Sequence, residues 1–354
     1  MTLDVLAHLK ALSAAAGLSG YEDPAADVIR PAWAARADEV QQDRLGTLWA
    51  VRRGHGPAPR PRLMLAAHMD AIGLLVTRRE GEFLRVSHLG GIDPRVLPGQ
   101  LVTVHGRQDL PGLIVAPPAF LLPKARRENV VPLAELLVDT GLTAAQLAKR
   151  VAVGDLVSFA QPPVELLNEQ IAAKSLDNRA SVAALTVCLE TLQGRPHAWD
   201  VYAVATVQEE VGLRGASTSA YSLKPDLAVA VDVTFGADFN TREFSHRTLP
   251  VGGGPALGLG PNIHPGLHAA FKACAARSEI PFTIEVMPGH SGTDAFALQV
   301  ARQGIPTMVV GIPLRNMHTP VEVAAFKDIT RTGRLLAEFA AGLDDGFLNT
   351  LSLD

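Results

Sequence analysis

VYAVATVQEEVG, residues 201–212, is the stretch on which the reading of this chain turns. Its first half is an apolar, β-branched run suited to a buried strand, and the run stops at the adjacent carboxylates Glu209 and Glu210 ahead of Gly212. Neighbouring side chains on an extended chain point in opposite directions. Such a pair at a strand end can therefore aim one carboxylate at a metal and leave the other free as a base. Other apolar runs also lead to potential ligands: LMLAAHMD (63–70) to His68 and Asp70, LAVAVDVT (227–234) to Asp232, and PTMVVGIPLRNMHT (306–319) to His318. In open α/β sheets, side chains at the carboxyl ends of strands converge on one crevice, where ligands bind. One further acid, Asp177 in KSLDNRASVAAL (174–185), opens a helical pattern, where it can act as an N-cap or as a carboxylate bridging two ions.

Around these runs, helical and strand patterns alternate. Residues 3–16 and 23–37 read as amphipathic helices, 43–54 as a hairpin arm and 61–70 as a buried strand. From 76 to 163 the texture changes to short strands punctuated by glycine and proline, as in EGEFLRVSHLGG (80–91), with one short helix within LTAAQLAKRVAVGDLVSF (142–159). Beyond 164 the alternation resumes: helix 177–193, strands 200–207 and 227–233, helix 265–278, strand 282–287, helix 293–303, strand 306–312 and helix 325–342. The expected fold is α/β, a mixed sheet flanked by helices. Residues 1–75 plus 164–354 are expected to form one α/β domain, and 76–163 an inserted, small β-barrel-like domain.

At 354 residues the chain can bury a large core, and 32 basic against 36 acidic residues give a formal charge of -4. That balance supplies neither a basic footprint for nucleic acid nor a polybasic patch for a membrane. The amino-terminal stretch lacks the pattern of a secretory leader and no segment has the length of a membrane span, so a cytoplasmic location is expected. Cys188 and Cys274 sit in helical apolar patterns and read as reduced core residues. His8, His55, His88, His105, His197, His246, His264 and His268 read as ordinary surface or core histidines, whereas His290, close to GTDA (292–295), can line a pocket.

Two histidines, one glutamate and two aspartates suit a pair of borderline divalent cations such as zinc, cobalt or manganese. Two such ions about 3.5 to 4 Å apart lower the pKa of a bridging water and hold the attacking and leaving atoms. Glu209, beside a ligand but not itself one, would accept the water's proton and pass it to the leaving amine. Asp70 would accept the other imidazole N–H of His68 and fix its tautomer.

The series His68-x-Asp70, Asp177-Asn178-Arg179, Glu209-Glu210, Asp232 and His318 resembles the co-catalytic dimetal aminopeptidases. The wording around it, GLSGYE (17–22), GGIDPRVLPGQ (90–100), SLDNR (175–179), TVQEEVGLRGA (206–216), GTDA and IPLRNMHTPVE (312–322), resembles the M42 family of glutamyl and deblocking aminopeptidases, some members of which carry an endoglucanase label. The resemblance implies two divalent metal ions per subunit, most readily zinc. His68 and Asp232 would hold one and Glu210 and His318 the other, with Asp177 between them and Glu209 as general acid/base. It further implies peptide substrates and an inserted domain that supports homo-oligomers, often tetrahedral dodecamers.

Ala71 stands where the family commonly has an acid, Ala119 where a histidine is expected, and Asn316 replaces a usual tyrosine, so substrate preference stays open while the ligand set stands. Asp294 reads either as a pocket acid or as a helix amino-terminal residue. A glycosidase working with two carboxylates would leave His68, Asp177, Asp232 and His318 unexplained, so the endoglucanase label fails on chemical grounds. A dimetal carboxypeptidase or N-deacylase shares the ligand logic. A non-catalytic, metal-stabilised assembly protein would have no need of Glu209.

Overall fold

Four runs of Val, Ala, Leu and Met form the centre of the molecule, because parallel strands covered on both faces lose the polar alternation of a half-exposed sheet. The computed structural model describes residues 2–237 and 249–351; His246 lies outside them. The chain opens with α1 (Val5–Ala14) and α2 (Asp23–Ala34), followed by β1 (Glu39–Gln42), β2 (Leu48–Arg52) and β3 (Arg62–His68). It then enters β4 (Gly73–Glu80), β5 (Phe83–Leu89), β6 (Leu101–His105), β7 (Asp109–Val115), β8 (Leu137–Asp139), α3 (Ala144–Arg150) and β9 (Leu156–Phe159). Next come β10 (Val164–Leu166), β11 (Gln170–Ala173), α4 (Leu176–Leu192), β12 (Asp200–Thr206), α5 (Arg214–Leu223) and β13 (Leu227–Phe235). The last part holds β14 (Ala256–Leu259), α6 (Pro265–Arg277), β15 (Thr283–Val286), α7 (Ala295–Gln299), β16 (Thr307–Arg315), β17 (Glu322–Ala325) and α8 (Phe326–Ala341).

The main sheet runs β1-β2-β12-β3-β13-β16-β17-β11-β10, with β14 and β15 attached beside β16. Its centre, β12-β3-β13-β16, is parallel, with Thr206 paired to His68 and Asp232 to Gly311. The outer strands pair antiparallel, so the sheet is mixed as the sequence predicts. Parallel order puts the carboxyl ends of the central strands on one edge, which is what brings their terminal side chains together. Behind that edge α4 is buried along nearly its whole length, and Gly333 of α8 lies so close to it that a Cβ there would stand 2.5 Å from the Ala184 carbonyl. Between His68 and Asp177 the strands β4-β5-β8-β7-β6-β9 close into an antiparallel barrel with its own apolar core, including Leu74, Val104, Ile114 and Val138.

Differences from the sequence reading are local. Helix 293–303 shrinks to Ala295–Gln299, and the segment 208–213 turns directly into α5, which periodicity did not reveal. Both cysteines are buried and free. Among the described residues no helix is long and apolar enough to cross a membrane.

Candidate metal centre

The edge formed by the central strands carries every ligand candidate. His68 is the last residue of β3 and is buried, Asp232 lies three residues before the end of β13, and His318 follows β16 after a short turn. The pair Glu209-Glu210 departs from the strand-alternation expectation. β12 ends at Thr206, and Gln208, with φ of 55°, turns the chain so that both glutamates sit in a loop. The two side chains are separated by turn geometry rather than by the pleat.

Asp177 is no N-cap either. Ser175 holds that position, and Asp177 has the extended ψ of 103° within a distorted first turn of α4, its peptide bond to Asn178 being cis. That conformation turns its carboxylate outward between two imidazoles. Oδ1 lies 3.1 Å from Nε2 of His68 and Oδ2 lies 3.3 Å from Nε2 of His318. The same imidazole atoms lie 3.8 Å from Asp232 and 3.7 Å from Glu210, respectively. His68, Asp177 and Asp232 thus form one candidate metal-holding group, and Asp177, Glu210 and His318 form a second that shares Asp177.

Supporting contacts fix these groups. Nδ1 of His68 lies 3.2 Å from the Asp70 carbonyl oxygen and 3.4 Å from its carboxylate, so a proton on Nδ1 leaves the Nε2 lone pair facing the acids. The larger task of Asp70 was not legible in sequence. Its fully buried carboxylate accepts the backbone N–H groups of Glu209 at 3.0 Å and Glu210 at 3.2 Å. Glu322, an acid opening the apolar run EVAAF with no assigned role in the sequence reading, accepts the N–H groups of both Asp177, at 3.0 Å, and His318, at 2.9 Å. Its placement at the start of a buried strand was the available signal. The barrel contributes as well. Gly90 and Gly91, in the loop after β5, lie so near Glu210 and His318 that a Cβ would stand 3.4 Å from the former and 2.9 Å from the latter.

Asp294 precedes α7 without capping it through its side chain; instead its carboxylate accepts the hydroxyl of Thr206 at 2.5 Å. His290 packs against Phe296 with the rings tilted by 34° and their centroids 4.1 Å apart, and does not contribute to the cavity wall. That cavity, of about 370 Å³, is lined by all the ligand candidates and Glu209, and extends past Phe235, Met287, Thr293 and Met317.

Charge is unbalanced at this edge. Burial pushes the carboxyls of Glu209 and Glu210 up to about 8, with Asp294 and Glu210 reinforcing it on Glu209, and Asp177 on Glu210. Burial also holds Asp232 well above the usual carboxylate range. For Asp177 burial acts upward, but its contacts with His318 and His68 outweigh it and hold the group low. Burial opposes protonation of His68, yet Asp177 and Asp70 raise it well above normal; contact with Asp177 lifts His318 to about 9. Carboxylates that keep protons beside imidazoles that gain them mark a site short of positive charge. Hard or borderline divalent cations supply such charge, and the mixed imidazole and carboxylate donors fit them.

An α/β sheet with candidate metal-holding groups gathered on its carboxyl edge and an inserted barrel is the architecture of this chain. The M42 glutamyl aminopeptidase family matches residues 46–335, and the chain belongs to that family. The lysyl aminopeptidase of Pyrococcus furiosus is 33% identical, over 92% of this chain and 94% of its own. A TET aminopeptidase from a marine-sediment Thaumarchaeota archaeon superposes with a TM-score of 0.93 at 30% identity, covering 98% of this chain and 99% of that one. The TET1 peptidase of Pyrococcus horikoshii, reported to assemble into a tetrahedron or a large octahedral shell, gives 0.84 at 28% identity, covering 96% and 100%. The first two of these relatives are named aminopeptidases and the third a peptidase.

Proposed function

We propose that this chain is a metal-dependent aminopeptidase that removes amino-terminal residues from peptides. The observation that carries the reading is the division of the acids: Asp177 belongs to both metal-holding groups, while Glu209 lines the same cavity and belongs to neither. His68 and Asp232 would hold one ion, Glu210 and His318 the other, and Asp177 would join them. Bound divalent ions, zinc being the first choice for these donors and cobalt or manganese the next, would acidify a shared water. Glu209, lining the same cavity and outside both groups, would take a proton from the attacking water and return it to the amine leaving group. Asp70 keeps the base in place through the backbone and keeps His68 in one tautomer.

Free aminoacyl amides, their N-acylated counterparts and carboxypeptidase substrates, assayed before and after chelation with metal add-back, test the reading. Hydrolysis of free-amino substrates alone, lost on chelation and restored by metal, is expected; hydrolysis confined to N-blocked substrates would replace it with a deacylase. The barrel, and the shells reported for the Pyrococcus horikoshii relative, support a homo-oligomer. Light scattering at the mass of one chain would exclude that assembly.

A further inference from the structure

The loop Gly17–Glu22, GLSGYE, takes no part in the ligand set, yet it is wired into the turn that carries Glu209. Its path is fixed first. Leu18 forms a parallel bridge with Ala71, Ala71 donates its N–H to the Gly17 carbonyl at 3.1 Å, and Ser19 donates its hydroxyl to Asp70 at 2.6 Å. The wholly buried guanidinium of Arg179, two residues past Asp177, binds the carbonyls of Leu12, Ala16 and Gly17. Gly17 has φ of 52°, and a Cβ there would stand 2.7 Å from that guanidinium, so a side chain at this position would disturb the anchor.

At the end of this loop the Glu22 side chain is buried, and one oxygen, Oε1, accepts the N–H of Gly20 at 2.6 Å and the N–H of Gln208 at 3.1 Å. Gln208 is the residue in the left-handed region, a conformation that persists in a non-glycine residue only where surroundings hold it. Three consecutive N–H groups, of Gln208, Glu209 and Glu210, therefore end on two buried carboxylates from separate parts of the chain, Glu22 and Asp70. Asp70 is tied to His68; Glu22 touches no ligand candidate.

We propose that Glu22 is a positioning residue for Glu209, holding the left-handed turn at Gln208 so that the base meets its proton at a fixed place. The proposal rests on the reading of Glu209 as the base. Because both hydrogen bonds fall on one oxygen, an amide oxygen can replace it, and the role requires an acceptor rather than a charge.

The metal-loaded enzyme carrying Glu22→Ala, Glu22→Gln, Glu209→Gln or Glu22→Ala with Glu209→Gln, assayed on an aminoacyl p-nitroanilide, provides the test. Glu22→Ala is expected to lower kcat by about 10- to 100-fold, the scale for a displaced catalytic group, with KM within about twofold. Metal content stays at the wild-type value, and amide hydrogen exchange at 208–210 accelerates. Glu22→Gln recovers kcat to within about threefold of wild type, and in the Glu209→Gln background Glu22→Ala costs nothing further, since a missing base cannot be misplaced. Wild-type turnover in Glu22→Ala beside an inactive Glu209→Gln overturns the proposal and leaves the base assignment standing. Wild-type turnover in Glu209→Gln removes both. A kcat loss that follows lost metal or unchanged exchange assigns Glu22 a different role. Should Glu22→Ala fail to fold, Glu22→Asp, which withdraws the acceptor by one methylene, replaces it with an expected loss of about tenfold.

Discussion

A Cβ placed on Gly91 would stand 2.9 Å from Nδ1 of His318, closer than such atoms approach in folded proteins. The barrel thereby sets how far this imidazole can withdraw. Gly91→Ala is expected to push His318 out of register while leaving His68 and Asp232 untouched. Metal titration should show one site weakened by about 10- to 100-fold, the cost usual for disturbing a ligand's support, and the other retained. Two sites of unchanged affinity would show that the loop gives way instead.

Asp177 is shared, so its loss should not be selective. Asp177→Asn removes one charge from each group and is expected to lower metal content at both positions, measured by elemental analysis after gel filtration. Stoichiometry equal to wild type would take Asp177 out of the bridge.

Glu209→Gln keeps the shape of the cavity and removes only the proton acceptor. Turnover should fall by roughly two to four decades with metal content intact, the range for a positioned acid/base. Activity comparable to wild type would move the base elsewhere.

Stability of the chelated protein should fall as pH rises from 5 to 8. Glu209 and Glu210, at about 8, and His318, at about 9, all hold protons in the folded state that the unfolded chain releases at lower pH. The folded state thus binds more protons throughout this window, and unfolding free energy declines with pH. Divalent metal displaces those protons, so its addition should raise the melting temperature more at pH 8 than at pH 5. Calorimetry with and without chelator checks both signs; a chelated protein more stable at pH 8 would contradict them.

The central sheet was legible because buried parallel strands are written as unbroken apolar runs, and LMLAAH, LAVAVDV and TMVVGIPL each sit within a strand. The candidate metal-holding side chains were legible because chemistry gathers at the ends of such runs. The turn at Gln208 was not, since nothing local distinguishes a left-handed glutamine from the end of a strand. Nor were the two larger tasks of Asp70 and Glu322. Each holds backbone groups far away in sequence, and such contacts exist only once the chain is folded. Asp177 was readable as a residue of interest but not as a distorted first turn, because its neighbours on α4 are ordinary helix formers.

The barrel leaves the sheet five residues after His68, at Gly73, and the chain comes back through β10 and β11 to reach Asp177 four residues after Ala173. Both of its roots therefore lead to ligand candidates, and its loop at Gly91 leaves no room for a side chain beside a third. Cutting this insertion back to a plain hairpin would therefore move both stems and remove the Gly91 loop at once. The two stems and this one loop are thus the parts of the barrel through which a change in it can reach the candidate site.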